Sequence, residues 1–496
     1  MIYDPRRMTS NRYDELPYAD YCFPRTHPEH LFAVSALCGR AAPPFARCRV
    51  LELGCARGAN LLPMALDLPG SEFVGVDLSE VQVAEARDRA SALGLTNVSF
   101  RAESIAALSD DAPFDYVICH GVYSWVPPAV RDAILAACRG RMRPDGVAYV
   151  SFNALPGWNA LRTIRDFLRE HAPPGPAQER VLRARRALAA LDGSLQADPS
   201  PWSAWLRAEL RELGGADDAY LFHEHLAAVN DAVYLRDFAA HAAAHGLAQL
   251  ADADLRVAAP ALRPGAGDPL ALAQSVDFAH NRRFRAALLV HGETAAGPAD
   301  PAALARLHLA TRAGVPDVGA AALTDDRPVT FACDGRPVVL RDPWMKCALH
   351  ALASEDRRPV SYAAMAAAAA ARLGLDRRAA LGAAAAHAPS MLDLLLDGAL
   401  SLHAGAARYA EAAGLRPLAS PIARAQATGS DEVTTLRHTR IALPDEARAV
   451  LRLSDGTRDR AALLAALPRD ARPEAERAGD CEQALDWLAS NALLVG

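Results

Sequence analysis

The sequence predicts an α/β domain built on a parallel sheet, followed by mainly helical accessory domains that include a winged-helix-like module. Three observations carry this expectation. Up to residue 172, apolar runs of strand length alternate with helical patterns, the signature of a parallel sheet covered on both faces. A turn rich in small residues, Gly54-Cys55-Ala56-Arg57-Gly58, follows the first run. Beyond residue 172 the alternation gives way to alanine- and leucine-rich helices, and Pro/Gly stretches at 171–177, 198–201, 259–269 and 292–301 punctuate the chain. The expected organisation is a sheet domain with an N-terminal arm (1–172), a helical insertion and accessory domain (173–300), a middle domain (301–410) and a helical C-terminal domain (411–496). In the middle domain, helices across 342–403 that run into LLDGALSLH are the winged-helix-like part. At 496 residues the chain is too long for a single core.

The strands follow in order. RVLELG is the first, and the helix ANLLPMAL opens directly after its turn. EFVGVDL is the second and ends at Asp77. Ser79 and Gln82 form a capping box that starts the next helix, and Gly94 suits its end. NVSFRA, FDYVICHG and GVAYVSF complete the set. Glycine after a buried strand lets the backbone approach a ligand without Cβ interference, and the turn aims a helix N-terminus at that ligand. Asp77 lies nineteen residues beyond Gly58, where an acidic side chain can accept hydrogen bonds from both ribose hydroxyls of a nucleoside. A dinucleotide fingerprint needs G-x-G-x-x-G/A, but positions 54, 56 and 59 read Gly, Ala, Ala.

Glu52 before the turn, Gly54, Gly58 and the Asp-Leu-Ser after the second strand instead resemble the class I S-adenosylmethionine (SAM) methyltransferase pattern E/D-x-G-x-G-x-G, with Ala56 in place of the middle glycine. YDELPYADYCFPRTHPEHL (13–31), HGVYSWVP (120–127), SFNALPGW (151–158), LFHEHLAAVN (221–230), DFAHNRRFRAALL (277–289) and RPLASPIARAQA (416–427) accompany it. Together these resemble the bacterial methyltransferases that carry a methyltransferase regulatory domain, a family that includes rickettsial-type protein lysine methyltransferases. The resemblance implies a Rossmann-like SAM domain, a regulatory-type domain within 173–300, and SAM-dependent N-methylation of a protein substrate, in some members on lysine, by a dimeric enzyme. It implies that Tyr18, Glu52, Gly54, Cys55, Ala56, Gly58, Asp77, Leu78, Glu103, Ser104, Ile105 and His120 surround the cofactor. An acceptor channel would draw on His120, Tyr123, Trp125, Asn153 and Trp158, with Tyr13 and Tyr18 from the N-terminal arm. Two alternatives stay open: a methyltransferase acting on a small-molecule N or O atom, and a SAM-binding regulator without turnover.

Composition excludes other classes. The net charge of -6 argues against a nucleic-acid-binding chain, nine scattered cysteines without a CxxC pair read as reduced thiols of a cytoplasmic protein, and no stretch reads as a membrane span. Of 53 basic residues Lys346 is the only lysine, a bias of codon usage. No metal is expected: His223-Glu224-His225 lacks HExxH spacing, and His241 and His245, though i, i+4, have no evident third ligand. Asn281-Arg282-Arg283-Phe284-Arg285 is expected to be a solvated face or an interdomain contact.

Overall fold

The computed structural model describes residues 15–16, 20–109, 112–263, 265, 267–292, 297–468 and 473–496. Its centre is a seven-stranded sheet of order 3-2-1-4-5-7-6. Strands β1 (Arg49–Leu53), β2 (Glu72–Asp77), β3 (Val98–Ala102), β4 (Phe114–Cys119) and β5 (Met142–Asn153) come from the predicted runs and pair in parallel. Strand order reverses between β1 and β4, which opens a crevice at their carboxyl ends, the usual ligand position in such sheets. Helices α1 (Pro28–Leu37), α2 (Leu61–Asp67) and α3 (Glu80–Ala92) cover one face, while α4 (Pro128–Arg141) packs on the other. The Ser79 hydroxyl accepts the Gln82 N–H at 3.1 Å and caps α3, and Gly94 follows it at φ +66°.

The last two strands come from the segment expected to be a helical insertion. After α5 (Gly157–His171), α6 (Ala177–Ser194), α7 (Pro201–Gly215) and α8 (Leu235–Ala244), β6 (Leu247–Asp252) and β7 (Phe284–His291) complete the sheet, with α9 (Leu255–Leu262) and α10 (Pro269–Ala279) between them. β7 runs antiparallel to both β5 and β6. Segment 173–300 thus contributes two strands to the central sheet, and part of the sheet core depends on it. Local composition hid this. LAQLAD consists largely of good helix formers, and only burial against β7 and α8 makes it a strand. The genuinely helical part is α5–α7, whose apolar faces form a separate cluster around Trp158, Leu168, Leu188 and Leu210.

Residues 308–403 hold β8 (His308–Thr311), the short α11 (Ala320–Thr324), the hairpin β9 (Val329–Cys333)–β10 (Arg336–Leu340), α12 (Pro343–Ala353), β11 (Val360–Ser361), α13 (Tyr362–Arg372), α14 (Arg377–Leu396) and β12 (Leu400–His403). β8 pairs antiparallel with β11 and β12. By length and composition α14 could cross a membrane. Here it docks Met391, Leu392, Leu395 and Leu396 into the core it shares with α1–α3. The C-terminal unit contains α15 (Pro421–Gln426), the hairpin β13 (Glu432–Thr434)–β14 (Arg440–Ala442), α16 (Asp445–Leu453), α17 (Arg460–Ala466) and α18 (Glu474–Ser490) around its own apolar cluster. The lone lysine has a structural reason. Lys346 is fully buried, and its ammonium donates to the carbonyls of Ala322, Asp325 and Arg327 at 2.7, 2.6 and 2.9 Å. A single rotatable nitrogen serves that convergence better than a planar guanidinium.

Candidate SAM and acceptor site

The turn after β1 is held by its own backbone and by Asp77. Gly54, Ala56 and Gly58 all lie in the left-handed region, at φ +80°, 46° and +75°. The Gly54 and Cys55 N–H groups donate to the Val76 carbonyl at 2.8 and 3.1 Å. Asp77 accepts the Ala56 N–H through Oδ2 at 2.9 Å and the Ser79 N–H through Oδ1 at 3.0 Å. Since a carboxylate offers about four acceptor directions, this does not exclude nucleoside hydroxyls. The turn packs tightly, because a Cβ at Gly54 would lie 2.5 Å from Val122 and one at Gly58 2.6 Å from Phe100. Ala56 meets the conformation that a glycine adopts without strain, at a cost of about 1–2 kcal/mol.

Beneath the turn, Glu52 is buried and accepts the Asn60 side-chain amide at 2.7 Å. Its other oxygen has no hydrogen-bond partner among the described residues, and burial pushes its pKa up to about 7. Asn60 opens α2 without capping it; its side chain serves as a hub instead. Its Oδ1 accepts the Phe23 N–H at 2.9 Å and His438 Nε2–H at 2.9 Å, and its Nδ2 also reaches the Thr26 hydroxyl at 3.0 Å. His438 occupies the tight β13–β14 turn, so the C-terminal unit touches the base of the SAM turn directly. Phe23 in turn stacks on His120 at 3.6 Å between ring centres.

His120 follows β4. Its Nδ1 shares a hydrogen bond of 2.9 Å with the Tyr149 hydroxyl, and enclosure among Phe23, Tyr149 and Phe284 lowers its pKa to about 3. The imidazole is neutral at ordinary pH. At the end of β3, Glu103 accepts the Ser109 N–H at 2.6 Å, and its second oxygen is buried without a partner among the described residues. Ser104 accepts the Ala106 N–H at 3.3 Å, and Ile105 leans on the sheet core. Leu78 is 62% exposed beside Asp77. The Cys55 side chain turns inward under Gly75, so only its backbone belongs to the turn.

The acceptor candidates separate. Asn153 ends β5; the Ser124 hydroxyl accepts its N–H at 2.8 Å, and its side-chain amide donates to Asn230 Oδ1 at 3.0 Å. Trp125 and Trp158 meet edge to face at 6.5 Å, with His225 stacked on Trp158 at 6.2 Å. Tyr123 does not line a channel. It is buried against Phe152 and Phe238, and its hydroxyl bonds His241 Nδ1 at 2.7 Å. The short helical turn Tyr123–Trp125 points the tyrosine into the core and brings Trp125 to Trp158. Tyr13 and Tyr18 lie outside the described residues.

Several other expectations change. Asp132 supplies the third group absent from the sequence reading: it bonds His241 Nε2 at 2.8 Å and His245 Nε2 at 3.4 Å, and the three could together hold a metal ion. His223 Nε2 bonds the Leu16 carbonyl at 2.7 Å. In the arginine run, Arg285 is buried between Asp252 and Asp277, Arg282 pairs with Asp277 at 3.0 Å, and Arg283 pairs with Glu209 of α7. These are internal ion pairs, and Arg283 ties β7 to α7. Sequence reasoning missed Phe23, Asn60, Asn230 and His438. Asn60 alone carried a local signal, a polar residue at a helix start, which by itself reads as an N-cap.

SAM fits this arrangement. Carboxylates at the ends of β1, β2 and β3, two of them with an unpartnered buried oxygen, suit a cationic, hydroxyl-rich nucleoside. The left-handed turn gives it close backbone approach.

Residues 50–146 match the family described as "Methyltransferase domain", 217–291 "Predicted methyltransferase regulatory domain", and 416–492 "PKMT, C-terminal winged helix domain". The last match identifies the C-terminal unit as a winged helix, where a purely helical domain was expected; its hairpin strands are only three residues each. The chain is 40% identical over 293 residues to uncharacterised protein RP789 of Rickettsia prowazekii, spanning 57% of this chain and about half, 53%, of that protein. It is 35% identical to RP028 of the same organism, spanning 46% of this chain and 91% of that one. The solved structure of PKMT2 from Rickettsia typhi superposes over 97% of this chain and 100% of its own, with TM-score 0.83 and 26% identity, and its complex with AdoHcy gives 0.84. The chain belongs to the class I SAM-dependent methyltransferases that carry a methyltransferase regulatory domain and a PKMT-type C-terminal winged helix domain.

Proposed function

We propose that this chain transfers a methyl group from SAM to a lysine side-chain amine of a protein substrate. The observation that carries the reading is the likeness to PKMT2 across 97% of the chain, accessory units included. When bound, SAM supplies an electrophilic methyl on a sulfonium. The chain's own residues do the rest. Asp77 and the turn 54–58 bind the nucleoside, and Glu103 closes its side. His120, kept neutral by its aromatic surroundings, does not repel an incoming ammonium. Asn153, fixed by Ser124 and Asn230 at the end of β5, is placed to orient an amine. Loss of the lysine proton follows from entry into this low-dielectric edge, so no strong base is needed.

The test is methyl-labelled SAM with lysate from the source organism. Label recovered as methyl-lysine after hydrolysis of protein supports the reading. Label only in small molecules would favour a small-molecule acceptor, and SAM binding without transfer would favour a regulator.

A further inference from the structure

Behind Trp158, a cavity of about 300 Å³ opens between α5 and the segment 228–232. One stripe of α5 lines it: Trp158, Arg162, Arg165 and Arg169 follow the 4-3-4 spacing of a helix face. Asp166 adds a carboxylate from α5, and Asn230 and Asp231 form the opposite wall. The charges are unbalanced. Asp231 is already paired with Arg131 at 2.8 Å, whereas none of the three α5 arginines makes an ion pair among the described residues. Arg165 is 6% exposed, donates to the Ala227 carbonyl, and keeps a buried Nε without a partner. Burial and the neighbouring arginines lower its pKa to about 10. Three arginines face two carboxylates, Asp166 and Asp231, and Asp231 is already held by Arg131, so positive charge stays in excess and the cavity is an incomplete anion site.

The cavity also adjoins the acceptor end of the sheet. Asn230 accepts from Asn153 at 3.0 Å, and Trp158 meets Trp125 at 6.5 Å. We propose that this cavity binds the carboxylate of an aspartate or glutamate in the protein substrate, close in space to the methylated lysine. The inference rests on the protein-acceptor reading above. It makes Arg162, Arg165 and Arg169 specificity determinants rather than catalytic residues: guanidinium forks grip a carboxylate bidentately, and Trp158 walls off solvent.

Full-length protein saturated with AdoHcy is titrated with synthetic single-lysine peptides that carry one glutamate scanned along an alanine background, each matched by its glutamine twin. At one or more positions the glutamate peptide should bind at least about tenfold more tightly than its twin. That ratio should collapse toward one in the Arg162→Gln/Arg169→Gln double variant. Both side chains are exposed, so the variant should fold, and its AdoHcy affinity serves as the check. In turnover assays with SAM the preference should appear in KM. Equal binding of the twins at every position, with lysine still methylated, overturns the cavity assignment alone. Label confined to small molecules overturns the protein-acceptor reading and this inference with it.

Discussion

Asn60→Ala tests the network under the SAM turn. The Asn60 side chain accepts from Phe23 N–H and His438 Nε2–H, each at 2.9 Å, and donates to Glu52 at 2.7 Å. Truncation leaves three buried groups, Glu52, Thr26 and His438, and the half-buried Phe23 N–H without this partner, at about 1–3 kcal/mol for each buried one; even the low end sums to about 3 kcal/mol. That is on the order of a hundredfold in any equilibrium requiring the network intact. SAM affinity by calorimetry and the denaturant midpoint should both fall. His438→Ala removes one of the four contacts and should cost about 1 kcal/mol. Because the two residues share a bond, the double variant should cost less than the sum of the singles by about 0.5 kcal/mol or more. Unchanged SAM affinity in Asn60→Ala, or strict additivity in the cycle, would refute the claim that the winged helix domain supports the cofactor turn through this residue.

Further outcomes follow from the same geometry. Asp77→Asn places an amide hydrogen against the Ala56 or Ser79 N–H, and SAM should bind at least about tenfold more weakly in calorimetry; equal affinity removes Asp77 from the cofactor site. Ala56→Gly relieves the left-handed strain at φ 46° and, after the entropy of an added glycine, should be neutral to about 1 kcal/mol stabilising in urea melts; clear destabilisation contradicts the strain argument. Glu52 titrates near 4.5 when unfolded but near 7 when folded, so between those values the folded state holds the extra proton and stability falls as pH rises. Glu52→Gln should flatten that decline between pH 5 and 7 in denaturant titrations, relative to the parent, and an identical slope would show that Glu52 is not its source. Lys346→Arg cannot direct one nitrogen at three carbonyls and overfills a buried site, so it should lower stability by about 1–3 kcal/mol while leaving SAM affinity unchanged; a parental unfolding curve would mean the lysine merely escaped codon bias.

What the sequence determined by itself is the local part of this protein. β1 to β5, the turn at 54–58, the Ser79 cap and the position of Asp77 were legible, because each rests on interactions within a few residues or on an apolar run that only a buried strand explains. Tertiary structure decided the rest. β6 and β7 are strands only because β5 offers an open edge and α8 a covering face; LAQLAD alone reads as helix. Whether an aromatic after β4 lines a site or fills the core depended on how one short helical turn packs, which sent Tyr123 inward and Trp125 toward Trp158. The contacts that place the cofactor turn against the winged helix domain join residues 378 positions apart, Asn60 and His438. No local pattern encodes such a pair, since a hydrogen bond across that separation exists only after two independently formed cores have docked.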